Sequence, residues 1–180
     1  MSGLVDKILA IDAGLDGAGV PHAFGGALAL AWCTERARGT IDIDCNIFVG
    51  PAKVLWAFDS LPAGVEWDDA SVTAVVRSGQ VRLWWDTTPV DLFLNTSQFH
   101  EDAAGRTRRK PFAGRKVPFL ACSDLAVFKA FADRTQDWAD LEAMAAIGSL
   151  DIDRVATTLT RYLGSGDERV AKVRALSRTG

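Results

Sequence analysis

The chain has 180 residues, of which 48% are hydrophobic and 24% charged, and its formal net charge is -3. That length fits one domain, or one domain with a small helical appendage, and the globular balance excludes disorder along the whole chain. A weakly acidic total does not point to a protein that coats nucleic acid non-specifically, while a local basic surface that docks an RNA end stays open. Cys33, Cys45 and Cys122 are far apart with no Cys-x-x-Cys partner, and read as reduced, buried small hydrophobes. No basic region ahead of a long apolar run marks a signal peptide, and no segment is apolar enough to span a bilayer. A cytoplasmic location with no membrane partner is therefore the expectation.

In chain order, Leu4, Ile8, Ile11 and Leu15 recur at helical spacing and predict a first helix, ended by Gly14, Gly17 and Gly19. Val20–Phe24 reads as a short strand closed by the Gly25-Gly26 turn. Ala27–Thr34 reads as a buried helix, Glu35–Gly39 as a turn, and the stretch that follows as a strand carrying Asp42 and Asp44. Pro51 opens a helix through Phe58. Val65–Asp68 is ambiguous. Ser71–Arg77 is rich in β-branched residues and predicts a strand, with Val81–Trp85 as its hairpin partner across Ser78-Gly79. Val90–Asn95 predicts an apolar strand with Asp91 near its start. His100–Lys116, polar and basic, reads as a loop or mobile ribbon, and Val117–Ala121 as a short edge strand because of Pro118. Ser123 is a candidate N-cap for a helix carrying Leu125, Phe128 and Phe131. Helices over Trp138–Ala146 and Ile152–Leu163 follow, and the end, through Arg169, Lys172, Arg174 and Arg178, reads as a short amphipathic helix that frays. Together these predict an α+β (α/β-like) arrangement, a short mixed sheet flanked by helices, with residues 1–121 as the core and 122–180 as a helical C-terminal subdomain packed on it.

The side-chain period of a strand puts Asp42, Asp44 and Asn46 on one face and Ile41, Ile43, Cys45 and Ile47 on the other. Two carboxylates fixed side by side repel each other, and a divalent cation such as Mg²⁺ relieves them. Asp91 is either a third ligand or a solvated strand end, with Asp86 its rival. The Gly25-Gly26 turn either merely reverses the chain or brings backbone amides up to phosphate oxygens. It is neither a P-loop nor a dinucleotide fingerprint, since it lacks the Gly-Lys-Ser/Thr ending and the three-glycine spacing. Thr40 suits a hydrogen bond to the turn or to the start of the strand. Arg38 either reaches a phosphate or is a solvated loop residue. Lys129 either neutralises triphosphate charge or pairs along its helix with Asp133, and an internal pair with Asp137 that orients it is open as well. With only His22 and His100, neither a zinc site nor a histidine triad is credible.

The run Gly25-Gly26 … Arg38-Gly39-Thr40-Ile41-Asp42-Ile43-Asp44 resembles the signature of the nucleotidyltransferase superfamily related to DNA polymerase beta, most of all the minimal bacterial nucleotidyltransferases of the abortive-infection and toxin type. The segment from Lys129 through Arg134, Asp137 and Asp140 resembles the second half of that family's pattern, with Gln136 where a lysine is common. The resemblance implies transfer of a nucleoside monophosphate from an NTP to a hydroxyl, dependent on Mg²⁺ or Mn²⁺. It assigns the metal and the catalysis to Asp42, Asp44 and Asp91. It assigns the nucleotide to Gly25, Gly26, Arg38, Thr40, Lys129, Arg134 and Asp137. It also implies an RNA 3′ end as acceptor, docked by Arg106–Lys116, in a toxin–antitoxin setting with a cognate antitoxin. The alternatives are a small aminoglycoside-like acceptor, a protein acceptor, or a nucleotide-binding regulator without chemistry.

Overall fold

A computed structural model describes residues 3–176. Helix α1 (Leu4–Gly17) leads to β1 (His22–Phe24), and α2 (Gly26–Thr34) springs from the glycine turn. Then come β2 (Ile43–Ile47), a 3-10 turn at Pro51–Lys53, α3 (Val54–Asp59), β3 (Val65–Glu66) and α4 (Asp69–Ser78). β4 (Gln80–Trp85) and β5 (Thr88–Leu94) form a tight hairpin. After α5 (Gln98–Ala103), β6 (Arg108–Phe112) and β7 (Arg115–Phe119) form a second one. Four helices follow: α6 (Cys122–Ala132), α7 (Thr135–Ala146), α8 (Ile152–Leu163) and α9 (Glu168–Ala175).

The strands make one mixed seven-stranded sheet in the order β3-β4-β5-β2-β1-β7-β6. β2, at its centre, is antiparallel to β1 and parallel to β5. Within the strand its alternation is the expected one, with Ile43, Cys45 and Ile47 fully buried, but Ile41, expected on the same apolar face, lies ahead of the strand and is 77% exposed, because the strand's period does not extend to it. Burial also pushes the Cys45 thiol pKa up, with Asp12 and Asp44 adding to the effect, so Cys45 behaves as a small hydrophobe.

Among the described residues, 3–28 together with Gly39–Leu120 form one unit, and Ala29–Arg38 with 121–176 form another. The first unit buries Ile8, Ile11, Leu15, Phe24, Phe58, Leu92 and Phe119, and the second Leu125, Leu141, Met144, Val155 and Leu159. Within the second unit Cys33 and Cys122 are joined by a disulfide, with Cα atoms 5.5 Å apart. That corrects the reading of three reduced cysteines; a sequence separation of 89 between the partners leaves no local spacing to betray the pair.

Three local expectations are overturned. Residues 71–77 are helical, within α4, because its ends are fixed by stronger signals than β-propensity. Asp68 accepts the Ser71 backbone N–H (2.8 Å) as N-cap, and Gly79 closes the helix at φ +75°. Val72, Val75 and Val76 then fall at helical spacing, and β4 pairs with β3 and β5 instead. The basic stretch is not a loop but α5 followed by the β6–β7 hairpin, and β6, not β7, is the sheet edge. β7 meets β1 only at Phe24–Phe119, so Pro118 interrupts no long ladder. Finally, α6 starts one residue ahead of Ser123, with Ala121 at the N-cap. The fraying expected toward Arg178 lies outside the described residues. Among the described residues no helix is long and apolar enough to cross a membrane.

Candidate active site

The glycine turn is built against β2. Gly25 donates its N–H to the Asp44 carbonyl (2.9 Å). Gly26 sits at φ +49°, a conformation that disfavours any side chain. A Cβ on Gly26 would run into the Asp44 carboxylate, and one on Gly25 would come within 2.8 Å of the Asn46 amide. The turn therefore needs glycine at 26, a side chain at 25 would have to displace the Asn46 amide, and the turn brings the start of α2 against Asp44.

The register of the sheet assembles the carboxylates. Asp44 on β2 stands directly opposite Asp91 on parallel β5, inside that strand and not at its start. Asp42 lies just ahead of β2, where the Thr40 hydroxyl accepts the Asp42 N–H (3.2 Å) and donates to the Asp42 carbonyl (3.1 Å). Thr40 thus shapes the start of the strand.

A residue that sequence reasoning missed completes the cluster. Arg82 on β4 is the cross-strand partner of Asp91. Its Nε donates to Asp91 Oδ1 and its Nη2 to Asp91 Oδ2, both at 2.7 Å. The same Nη2 lies 3.5 Å from Asp42 Oδ2. Hydrogen bonding to Asp91 and the charge of Asp91, followed by the charges of Asp42 and Asp44, raise the Arg82 pKa, against an opposing push from desolvation. All three carboxylates therefore act on one guanidinium. The available signal was the alternation Gln80-x-Arg82-x-Trp84, which puts Arg82 on an exposed face, but only the register shows which face.

Among the described residues, no three His, Cys, Asp or Glu side chains are grouped so as to hold a metal ion; Asp91 and Asp42 turn to Arg82 instead. The donor set still suits a hard divalent cation. It offers carboxylate oxygens on adjacent strands, a backbone cradle that a Cβ would fill, and a cation already standing against two of the carboxylates.

The other sequence-predicted residues gather in the second unit. Lys129 on α6, buried, donates to Asp137 Oδ1 (3.2 Å) and Asp140 Oδ2 (2.7 Å). Arg134 Nε donates to Asp137 Oδ2 (2.6 Å), Arg38 to Asp140 Oδ1 (2.6 Å), and Gln136 to Asp140 Oδ1 (3.1 Å). Burial pushes the Asp137 pKa up, but Arg134 and Lys129 outweigh it and hold the carboxyl below the usual range. Asp133 does not pair with Lys129; it accepts from Trp138 Nε1 (2.7 Å) and Lys172 (3.1 Å). His22 is a buried structural residue, with Nδ1 donating to the Val20 carbonyl (2.9 Å) and Nε2 against Asp12 (3.1 Å).

Two further surfaces belong to the first unit. The β6–β7 hairpin exposes Arg108, Arg109, Lys110, Arg115 and Lys116, with Arg109 held by Asp16 (2.7 Å). On the sheet face of Arg82, Trp84 is 46% exposed and stands across from exposed Glu66 on β3.

No family model matches the sequence, and no curated protein does. Solved structures do. The solution structure of the antibiotic-resistance factor ANT(2″)-Ia is 16% identical over 97% of this chain and 91% of its own, with a TM-score of 0.55. The crystal structure of ANT(2″)-Ia in complex with adenylyl-2″-tobramycin is likewise 16% identical, over 97% of each chain, with a TM-score of 0.55. An antigenic nucleotidyltransferase-like protein from Paracoccidioides brasiliensis is 14% identical over 94% of this chain and 93% of its own, at 0.48. The chain has the nucleotidyltransferase fold, a mixed sheet flanked by helices with a helical C-terminal region, as the resemblance implied.

Proposed function

We propose that the protein is a metal-dependent nucleotidyltransferase whose acceptor is a small hydroxylated molecule. The observation that carries the reaction type is the register of Asp44 with Asp91 beneath the Gly25-Gly26 turn. Asp42 and Asp44 would hold a Mg²⁺ ion, with Asp91 completing the acceptor side. Bound Mg²⁺ compensates triphosphate charge and lowers the pKa of a coordinated hydroxyl. The turn offers backbone N–H groups to the phosphates. Asp91 takes the acceptor proton as the acceptor oxygen attacks the α-phosphorus, and the bond to pyrophosphate breaks. The chain's contribution is positioning and charge compensation. In the second unit, taken by itself, Lys129, oriented by Asp137 and Asp140, and Arg134 and Arg38 beside them, form a basic cluster proposed to contact phosphate.

The small acceptor is favoured by the open sheet face beside the carboxylates. Trp84 there offers an aromatic surface to a ring, and Glu66 with the carboxylates suits a cationic one. A fold neighbour crystallised with adenylyl-2″-tobramycin points the same way. A second reading, an RNA 3′ end, rests on the five exposed basic side chains of the β6–β7 hairpin. The test incubates the protein with each α-³²P-labelled NTP, Mg²⁺ or Mn²⁺, and either a panel of amino-sugar alcohols including tobramycin or total RNA. Asp44→Asn is the control. Label on a small molecule, lost in the control, is the expected result. Label on RNA selects the second reading, and label on neither overturns both.

A further inference from the structure

Arg82 stands in the carboxylate cluster of the first unit, and the proposed reaction gives it no role. It occupies both oxygens of Asp91 in a two-pronged fork and reaches Asp42 with the same terminal nitrogen. Fork bonds between guanidinium and carboxylate are short and charge-assisted, as these are. The geometry follows from the sheet, since Arg82 and Asp91 are directly opposed on antiparallel β4 and β5. A carboxylate with both oxygens engaged this way offers a metal ion less than its full donor capacity. Yet the arginine side chain is 50% exposed, whereas the Asp91 side chain is 17% exposed. The guanidinium can thus withdraw into solvent by rotation of its own side chain, while Asp91 is fixed within β5.

From this we infer that Arg82 is a resident counter-cation of the carboxylate cluster, which exchanges with the divalent ion: metal binding requires Arg82 to leave Asp91. The inference rests on the reading of Asp42, Asp44 and Asp91 as metal ligands. Arg82 offsets the mutual repulsion of the three carboxylates while no metal is bound, and it sets the metal concentration at which the site fills. It is a positioning residue, acting through Asp91 and Asp42.

The test is Mn²⁺ binding to the full-length protein, followed by the loss of the free-ion electron paramagnetic resonance signal, without nucleotide or acceptor. Arg82→Gln removes the competing charge and is expected to tighten Mn²⁺ binding by about tenfold, the equivalent of one strong charge-assisted pair. Arg82→Lys keeps the charge but loses the fork, and is expected to fall between Arg82→Gln and the native chain. In an Asp91→Asn background the gain from Arg82→Gln is expected to shrink to about threefold or less, because only the weaker contact to Asp42 remains. Unchanged or weaker Mn²⁺ binding in Arg82→Gln overturns the exchange while leaving the metal site standing. No Mn²⁺ binding by either the native chain or Arg82→Gln overturns the metal reading and the exchange together.

Discussion

Lys129→Met separates an internal counter-ion from a surface ligand for phosphates. In the second unit the Lys129 side chain is 10% exposed, between an Asp137 side chain at 2% and an Asp140 side chain at 8%. Methionine fills about the same volume but leaves both carboxylates short of a partner in a poorly solvated place. Breaking a buried ion pair from one side costs about 3–5 kcal/mol. Arg134 still covers Asp137 and Arg38 still covers Asp140, but their side chains are 75% and 44% exposed and are screened by water. The expected loss is therefore at the lower end, about 3 kcal/mol. With a urea dependence of roughly 2 kcal/mol per molar, the unfolding midpoint should fall by about 1.5 M.

The sign of the pH dependence follows from Asp137, whose folded pKa is lowered. Its contribution is present above its unfolded value near 3.9 and is lost as the pH falls through the folded value. The Lys129→Met penalty should accordingly shrink as the pH falls and protonation relieves the stranded Asp137 carboxylate. Adding Asp137→Asn should recover part of the loss, a positive coupling of about 1–3 kcal/mol. A midpoint shift under about 0.3 M, with no coupling to Asp137, would refute the argument. In that case Lys129 is not held by its carboxylates, and any loss of nucleotide binding reports direct contact.

Three other outcomes are expected. Gly26→Ala, which forces a side chain against Asp44 at positive φ, should lower stability by about 2–3 kcal/mol and abolish transfer, whereas Gly39→Ala, where an added Cβ meets nothing, should do neither; parallel thermal melts and activity assays check it, and equal behaviour of the two refutes it. Reduction of Cys33–Cys122 should cost about 3–4 kcal/mol and roughly 10 °C in Tm. Thiol titration of the unfolded chain should find one cysteine before reduction, Cys45, and all three after; three thiols before reduction would dismiss the bridge. Burial lowers the His100 pKa from 6.5 to about 4, against a smaller lift from the Leu94 backbone. Between those values the unfolded chain binds more protons, so stability rises with pH across that window and is lost as the pH falls from 6.5 toward 4, by about 3 kcal/mol in all. His100→Gln should flatten that part of the urea-midpoint profile, and an unchanged slope refutes the assignment.

The parts of the fold that were legible are those whose signals are local. The period-two alternation of residues 43–47 buries Ile43, Cys45 and Ile47 and turns Asp44 to the other face whatever the neighbours are, while Asp42 lies just ahead of the strand. The glycine pair marks a turn wherever it falls, and the helical spacing from Leu125 to Leu163 needs no partner to be read. Where two local signals compete, the one specific to a single element prevails. Residues 71–77 carry β-branched side chains, but Asp68 with Ser71 at one end and Gly79 at the other decide the matter, because a satisfied cap is specific to a helix and β-propensity is not. Likewise the basic run 106–116 reads as a loop on composition, yet Ala113-Gly114, both at positive φ, make it a hairpin.

What was not legible depends on register, the one property of a sheet that a single strand does not carry. Asp91 sits opposite Asp44 only because β5 joins β2 in parallel, and Arg82 sits opposite Asp91 only because the tight β4–β5 turn fixes the count between them. One residue of slip on either side would send Arg82 to the opposite face and leave Asp91 to its neighbours. The same holds for Lys129, whose helical neighbour at Asp133 was the simplest partner on spacing. The chain bends at Asp133, in the left-handed conformation, and that bend hands Lys129 to Asp137 and Asp140 on the next helix. The candidate chemistry was thus legible as a set of residue types, while the cation each carboxylate faces had to be read from strand pairing and helix ends.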